Sequence, residues 1–288
     1  MKNQEIFKNM KKYIGTPNTI SNGTLFTTEV FIENLKEDQT RLIRIYLPSN
    51  YDFNDSTKRF PVIYMMDGKN LFDKYTSFAG EWEVDEVIEE RIKNNKEGFI
   101  VVGIDSSKSD MGRVQEMLPS SNNLTGVDEL PITLASYGDV LGEFIVEKIK
   151  PTIDEMFFTK PDKNETIIAG SSMGGLFAFY MGIKYKEIFA TSFCFSPAFC
   201  LYHEEAFIKE LTDYKINIEE LGNMYLLVGD VEYENQFVSL TKKTYEILLN
   251  KKMNKNKIKY IHDLNGIHHE SFWNKYLNDA FDFHQNNK

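Results

Sequence analysis

Apolar positions along the chain follow two different periods. Residues 27–34 and 41–47 are rich in β-branched and aromatic side chains that partly alternate with polar ones, a pattern that predicts hairpin strands. After the polar stretch 49–59, residues 60–66 form an apolar run bounded by Pro61 and Asp67-Gly68, as expected of a buried strand. Residues 81–95 carry Trp82, Val84, Val87, Ile88 and Ile92 at helical spacing. From there short apolar runs and helical segments take turns. Strands are predicted at 99–104, 166–169, 190–195, 224–228 and 258–264. Helices are predicted at 137–157, 173–185, 204–213, 234–250 and 271–286. Residues 107–131 are polar, with Gly, Asn and Pro, and read as a long loop of the kind that carries function.

Strands that alternate with helices predict an α/β fold: a mostly parallel sheet of about eight strands, covered by helices on both faces, with antiparallel leading strands and right-handed crossovers. The 288 residues, 42% of them hydrophobic, suffice for one domain spanning 1–288.

The net charge of −10 leaves no electrostatic footprint for nucleic acid or an anionic membrane. The two cysteines, Cys194 and Cys200, lie in the apolar run 190–200, so buried free thiols are expected rather than a disulfide scaffold or a metal site. The basic N-terminus lacks the apolar stretch of a secretion signal, and no apolar run approaches a membrane span. A cytoplasmic protein is expected.

The sharpest chemical signal is Gly170-Ser171-Ser172-Met173-Gly174-Gly175, a G-x-S-x-G pattern centred on Ser172. A strand precedes it and a helix follows, which favours a nucleophile elbow over a simple glycine-rich cap. In such a turn the serine hydroxyl stands above the sheet. The backbone N–H of Met173, at a helix N-terminus, then points to where an oxyanion would form. A serine hydroxyl needs a base, and the chain has five histidines: His203, His262, His268, His269 and His284. In α/β-hydrolases the order is serine, acid, histidine, with the histidine after the last strand. His268 and His269 follow the predicted strand 258–264 and its Asn265-Gly266 turn. They compete on position alone. His262 falls within that strand and reads as structural, His203 as a helix start, and His284 as a residue near a helix C-terminus. The acid should follow strand 224–228, where Asp230, Glu232 and Glu234 are all candidates.

Together these residues resemble the putative esterase family of α/β-hydrolases, which includes ferric enterobactin esterase, bacterial feruloyl and acetyl-xylan esterases, S-formylglutathione hydrolase and the mycolyltransferases. Four segments carry the resemblance: Val62 to Phe72, Gly170 to Gly175, Gly229-x-x-Glu232, and His268-His269-Glu270-Ser271-Phe272-Trp273. The family places its catalytic histidine five positions before a tryptophan, which implies His268 rather than His269. It places its acid three positions after a glycine, which implies Glu232, with Asp230 as the alternative. Asp67-Gly68-Lys69 is similar to the family's loop after the third strand. There the Lys69 amide would be a second oxyanion donor and Gly68 would lie beside the substrate. Arg113-Val114-Gln115-Glu116 is similar to an Arg-x-x-Glu pair of related proteins, as a pocket wall or a surface ion pair. Trp82 and Phe72 could line an acyl site or pack in the core.

The resemblance implies a serine esterase that acts through a Ser-His-acid triad and an acyl-enzyme on a small-molecule ester, such as a sugar or siderophore ester. An acyltransferase with the same triad, or a non-catalytic binding protein of this fold, are the alternatives. His268-His269-Glu270 lacks the spacing of a metal-ligand set, so no metal and no cofactor are expected.

Overall fold

A computed structural model describes residues 4–17, 19–35, 38–119, 134–213 and 217–288. Among them a nine-stranded sheet runs through the molecule. In chain order the strands are β1 (Lys11–Lys12), β2 (Thr24–Phe31), β3 (Thr40–Leu47), β4 (Val62–Met66), β5 (Ile100–Ile104), β6 (Thr166–Ser171), β7 (Thr191–Phe195), β8 (Asn223–Gly229) and β9 (Ile258–Asp263). Their spatial order is β1-β2-β3-β5-β4-β6-β7-β8-β9. β1, β2 and β3 pair antiparallel, as do β3 and β5, and every pairing from β5 onward is parallel. This is the α/β-hydrolase architecture. The strand beyond the expected eight is β1, two exposed lysines that carry no apolar signal.

The central strands read as unbroken apolar runs because both faces are covered. On β4, Val62, Tyr64 and Met66 face one core, while Ile63 and Met65 face the other. On β8, Met224, Leu226 and Val228 alternate with Tyr225 and Leu227 in the same way. The first core is closed by α3 (Gly138–Phe144), α4 (Lys150–Met156), α5 (Met173–Lys184), α6 (Glu204–Asp213) and α7 (Val238–Asn250). The second is closed by α1 (Val84–Lys93) and α8 (Glu270–Asn287).

Two segments depart from the expectation. The predicted helix 137–157 is α3 and α4 joined by a π-helical turn, Ile145–Ile149, immediately before Pro151. Proline has no N–H to donate, and its ring crowds the carbonyl four residues back, so the turn widens there. The stretch predicted as a loop at 107–131 contains a helix, α2 (Asp110–Met117), started by Ser109, whose side chain accepts the Gly112 N–H. The later part of that stretch, from residue 120, lies outside the described residues.

Candidate active site

The site is assembled at the C-terminal ends of four adjacent parallel strands, β6 to β9. β6 ends at Ser171, and α5 begins at Met173. Between them Ser172 has φ 57° and ψ −118°, a left-handed conformation that L-residues adopt only under tertiary constraint. The constraint comes from its neighbours. The Ser172 N–H donates to the Phe195 carbonyl at the end of β7 (2.9 Å), and its own carbonyl accepts from Leu176 and Ala198 (3.0 Å each). The turn closes tightly because Gly170 has no side chain: a Cβ there would lie 2.5 Å from the Gly174 carbonyl carbon and oxygen. Met173 is the first residue of α5, so its N–H has no partner within the helix and is available to an anion.

His268 stands on the loop after β9. Its Nδ1 lies 2.5 Å from Oε2 of Glu234. A carboxylate can only accept, so Nδ1 is the donor in this bond. The ring is held between aromatic groups. It stacks on Phe237 with centroids 4.5 Å apart and meets Trp273 edge-on at 5.1 Å. Glu234 is fully buried. Its second oxygen accepts the Gly229 N–H (2.8 Å) and the Ser196 hydroxyl, and Ser196 in turn accepts the Trp273 indole N–H (2.8 Å). The carboxylate is thus fixed by the end of β7, the end of β8 and the histidine loop together.

A family model described as putative esterase matches residues 35–284. The chain belongs to this family of carboxylic ester hydrolases. Three solved structures share the fold. A ferulic acid esterase is 15% identical over 93% of this chain and 100% of its own, with a TM-score of 0.65. The BES protein from Bacillus cereus is 24% identical over 92% and 96%, with a TM-score of 0.62. The enterobactin esterase of Shigella flexneri is 19% identical over 90% of this chain, with a TM-score of 0.66, and this chain spans 59% of its length.

In this esterase the carboxylate that meets His268 is not the one the family spacing implies. Glu232, which family spacing selects, is exposed and does not meet His268, whereas Glu234 does. The reason is local. Residues Glu232–Phe237 form a 3-10 helix, in which positions three apart share a face. Glu234 and Phe237 therefore both turn inward and Glu232 turns out. The apolar Phe237 three positions after Glu234 was the sequence signal for this. Asp230 is occupied elsewhere: it accepts from the Asn235 side chain and lies 3.1 Å from His262 Nε2.

His269 has a structural position. Its Nδ1 accepts the Ser271 N–H (3.0 Å) at the start of α8, and its Nε2 donates to the Ala79 carbonyl (2.8 Å). His203 precedes α6, and its carbonyl accepts from Phe207. His284 is buried against Phe99 and hydrogen-bonded to Thr191.

The loop after β4 turns at Asp67 (φ 57°, ψ 48°) into a 3-10 turn, Gly68–Asn70. Arg113 grips Asp67 with two hydrogen bonds, Nε to Oδ1 at 2.7 Å and Nη2 to Oδ2 at 2.6 Å. Burial alone would raise the Asp67 carboxyl, but the Arg113 guanidinium, aided by the Lys69 ammonium, holds the group below the usual carboxylate range. Arg113 is therefore not paired with Glu116. That carboxylate is buried and bonded to Arg41 (Nε, 2.9 Å) and to the Ser107 N–H (2.7 Å). The expected Arg-x-x-Glu pair is two separate pairs, because α2 directs the two side chains to different strands. Gly68 packs on β5, where a Cβ would lie 2.7 Å from Asp105 Oδ1. Trp82, expected as an acyl-site candidate, is 1% exposed and packs against Phe195 and Trp273 in the second core. Phe72 is buried against Tyr46.

Sequence reading missed Asn70 and Glu270. The buried Asn70 side chain donates to Glu270 Oε1 (2.9 Å) and accepts the Phe78 N–H (3.0 Å). It fastens the turn after β4 to the histidine loop 200 positions away. Both lie in segments that carry the family resemblance, but nothing in either segment pairs them. Among the described residues one group of carboxylates, Glu81, Asp85 and Glu86, brings a ligand atom from each within 4.8 Å of the others.

Proposed function

We propose that this esterase cleaves small-molecule carboxylic esters with Ser172 as nucleophile, His268 as general base and Glu234 as the acid that orients it. Ser172 Oγ attacks the ester carbonyl carbon while its proton passes to His268 Nε2. The resulting imidazolium is stabilised by buried Glu234. The tetrahedral oxyanion is received by the backbone N–H groups of Met173 and Lys69. Collapse expels the alcohol, which takes the proton from His268, and leaves an acyl-enzyme on Ser172. Water, deprotonated by His268, then releases the acid and restores the hydroxyl.

The observation that carries this reading is the pairing of His268 Nδ1 with a fully buried carboxylate that is tied, through Ser196 at the end of β7, to the same strand end that holds the Ser172 turn. The test is hydrolysis of short p-nitrophenyl esters. Ser172→Ala is expected to lower kcat by about 10⁴-fold or more while the circular dichroism spectrum is kept. Turnover retained in a clean Ser172→Ala preparation would remove Ser172 from the mechanism. Cys194, a buried free thiol raised by desolvation, and the free thiol Cys200 support a reducing, cytoplasmic setting.

A further inference from the structure

The buried charged residues around the proposed oxyanion turn pair off. Asp67 is held by Arg113, Asp105 by Arg44 (2.8 and 3.0 Å) and Glu116 by Arg41. Glu270 takes its hydrogen bond from Asn70. Lys69 is left over. It is half-buried, and among the described residues no carboxylate lies within ion-pair distance of its ammonium. Instead Nζ sits 5.3 Å from the centre of the Phe78 ring.

Phe78 is 80% exposed, and Tyr75, 59% exposed, carries the Lys74 ammonium in the same way at 5.1 Å. Phe78 and Tyr75 thus each hold a lysine ammonium at the surface of one short stretch. This stretch is tied down: Thr76 bonds the Lys69 carbonyl (2.7 Å), Phe78 N–H bonds Asn70, and the Ala79 carbonyl bonds His269. It forms a fixed wall between the oxyanion turn and the histidine loop. In a chain of net charge −10, a half-buried cation with no ion-pair partner at this place attracts anions that the rest of the surface repels.

We propose that Lys69 binds a negative charge on the substrate, so that the preferred esters carry an anionic group within a lysine side chain's reach of the scissile carbonyl. The proposal rests on the Ser172 reading above. Its amide and its ammonium then serve one substrate at two points: the amide takes the oxyanion, and the ammonium takes the fixed charge.

The test compares mono-p-nitrophenyl adipate with p-nitrophenyl hexanoate, which differ only by a terminal carboxylate on the acyl side. It also compares 4-hexanoyloxybenzoate with phenyl hexanoate for charge on the alcohol side. Lys69→Met retains the amide. Whatever its effect on overall rate, the ratio of kcat/KM for the anionic ester to that for the neutral one is expected to fall about 10-fold in one of the two pairs. In the wild type 0.5 M NaCl should erode that ratio, and in the variant it should not. Ratios unchanged by Lys69→Met in both pairs overturn the proposal. If no ester is hydrolysed, the Ser172 reading fails on its own. Calorimetric binding of monomethyl adipate to Ser172→Ala, with and without Lys69→Met, then decides the charge site: about 10-fold weaker binding supports it, and equal binding overturns it.

Discussion

A carboxylate that must stabilise an imidazolium acts most strongly where water does not compete with it, and Glu234 is fully buried with three hydrogen bonds to accept. Glu232, two residues earlier, is exposed and screened. Glu234→Gln is therefore expected to cut kcat by about 10³-fold or more, because the amide no longer enforces the Nδ1–H tautomer. Glu232→Gln and Asp230→Asn are expected to stay within a few-fold of wild type. Steady-state kinetics on one p-nitrophenyl ester decide this, and a large loss from Glu232→Gln would reverse the assignment. The two neighbouring histidines separate in the same experiment. His268→Ala should abolish turnover. His269→Ala should chiefly lower thermal stability, by about 1 kcal/mol for the lost cap of α8.

At the scale of elements, α1 begins against its own charges. Glu81, Asp85 and Glu86 crowd together at its N-terminal end, and Asp85 is fully buried, with Oδ2 accepting from the Ser21 N–H and hydroxyl (2.8 Å each). Desolvation first, and then mutual repulsion, raises Glu81 to about 7 and holds Glu86 above its ordinary range. Burial raises Asp85 against its Ser21 hydrogen bonds. Groups whose pKa values rise on folding bind protons more tightly in the folded state. Their contribution is complete below the unfolded carboxylate range and is lost as pH rises through the raised values. The cluster's own contribution to thermal stability should thus fall between pH 5 and pH 9. Glu86→Gln should unfold at a higher temperature than wild type at pH 9 and at a similar one at pH 5. Melting curves showing the same difference at both pH values would contradict this origin.

At the scale of the whole molecule, the second core is sealed by α8, and His284 is buried there at the sheet. Desolvation lowers it to about 3. The sign is opposite to that of the acidic cluster. A depressed pKa gives stability that is present above the unfolded value near 6.5 and is lost as pH falls toward the folded one. Urea titrations at pH 7 and pH 4 should show a smaller loss for His284→Gln than for the wild type. An equal loss would assign acid unfolding to other groups.

How much of this was legible in the sequence depended on how local the cause was. The apolar runs of β4 to β8, the strand-turn-helix around Ser172 and the class of the fold follow from patterns within a dozen residues, because burial on two faces and the closure of a tight turn leave their mark on neighbouring positions. His268 could be chosen over His269 only through the family's spacing to Trp273. In the structure one ring is held by Glu234, and the other caps a helix. Only the tertiary structure decided which acid turns inward, that Arg113 and Glu116 serve different partners, that Trp82 is core, and that Asn70 ties the turn after β4 to the histidine loop. Each of these depends on which side chains meet across tens or hundreds of positions, and hydrophobic periodicity fixes the face a residue occupies without fixing its partner there.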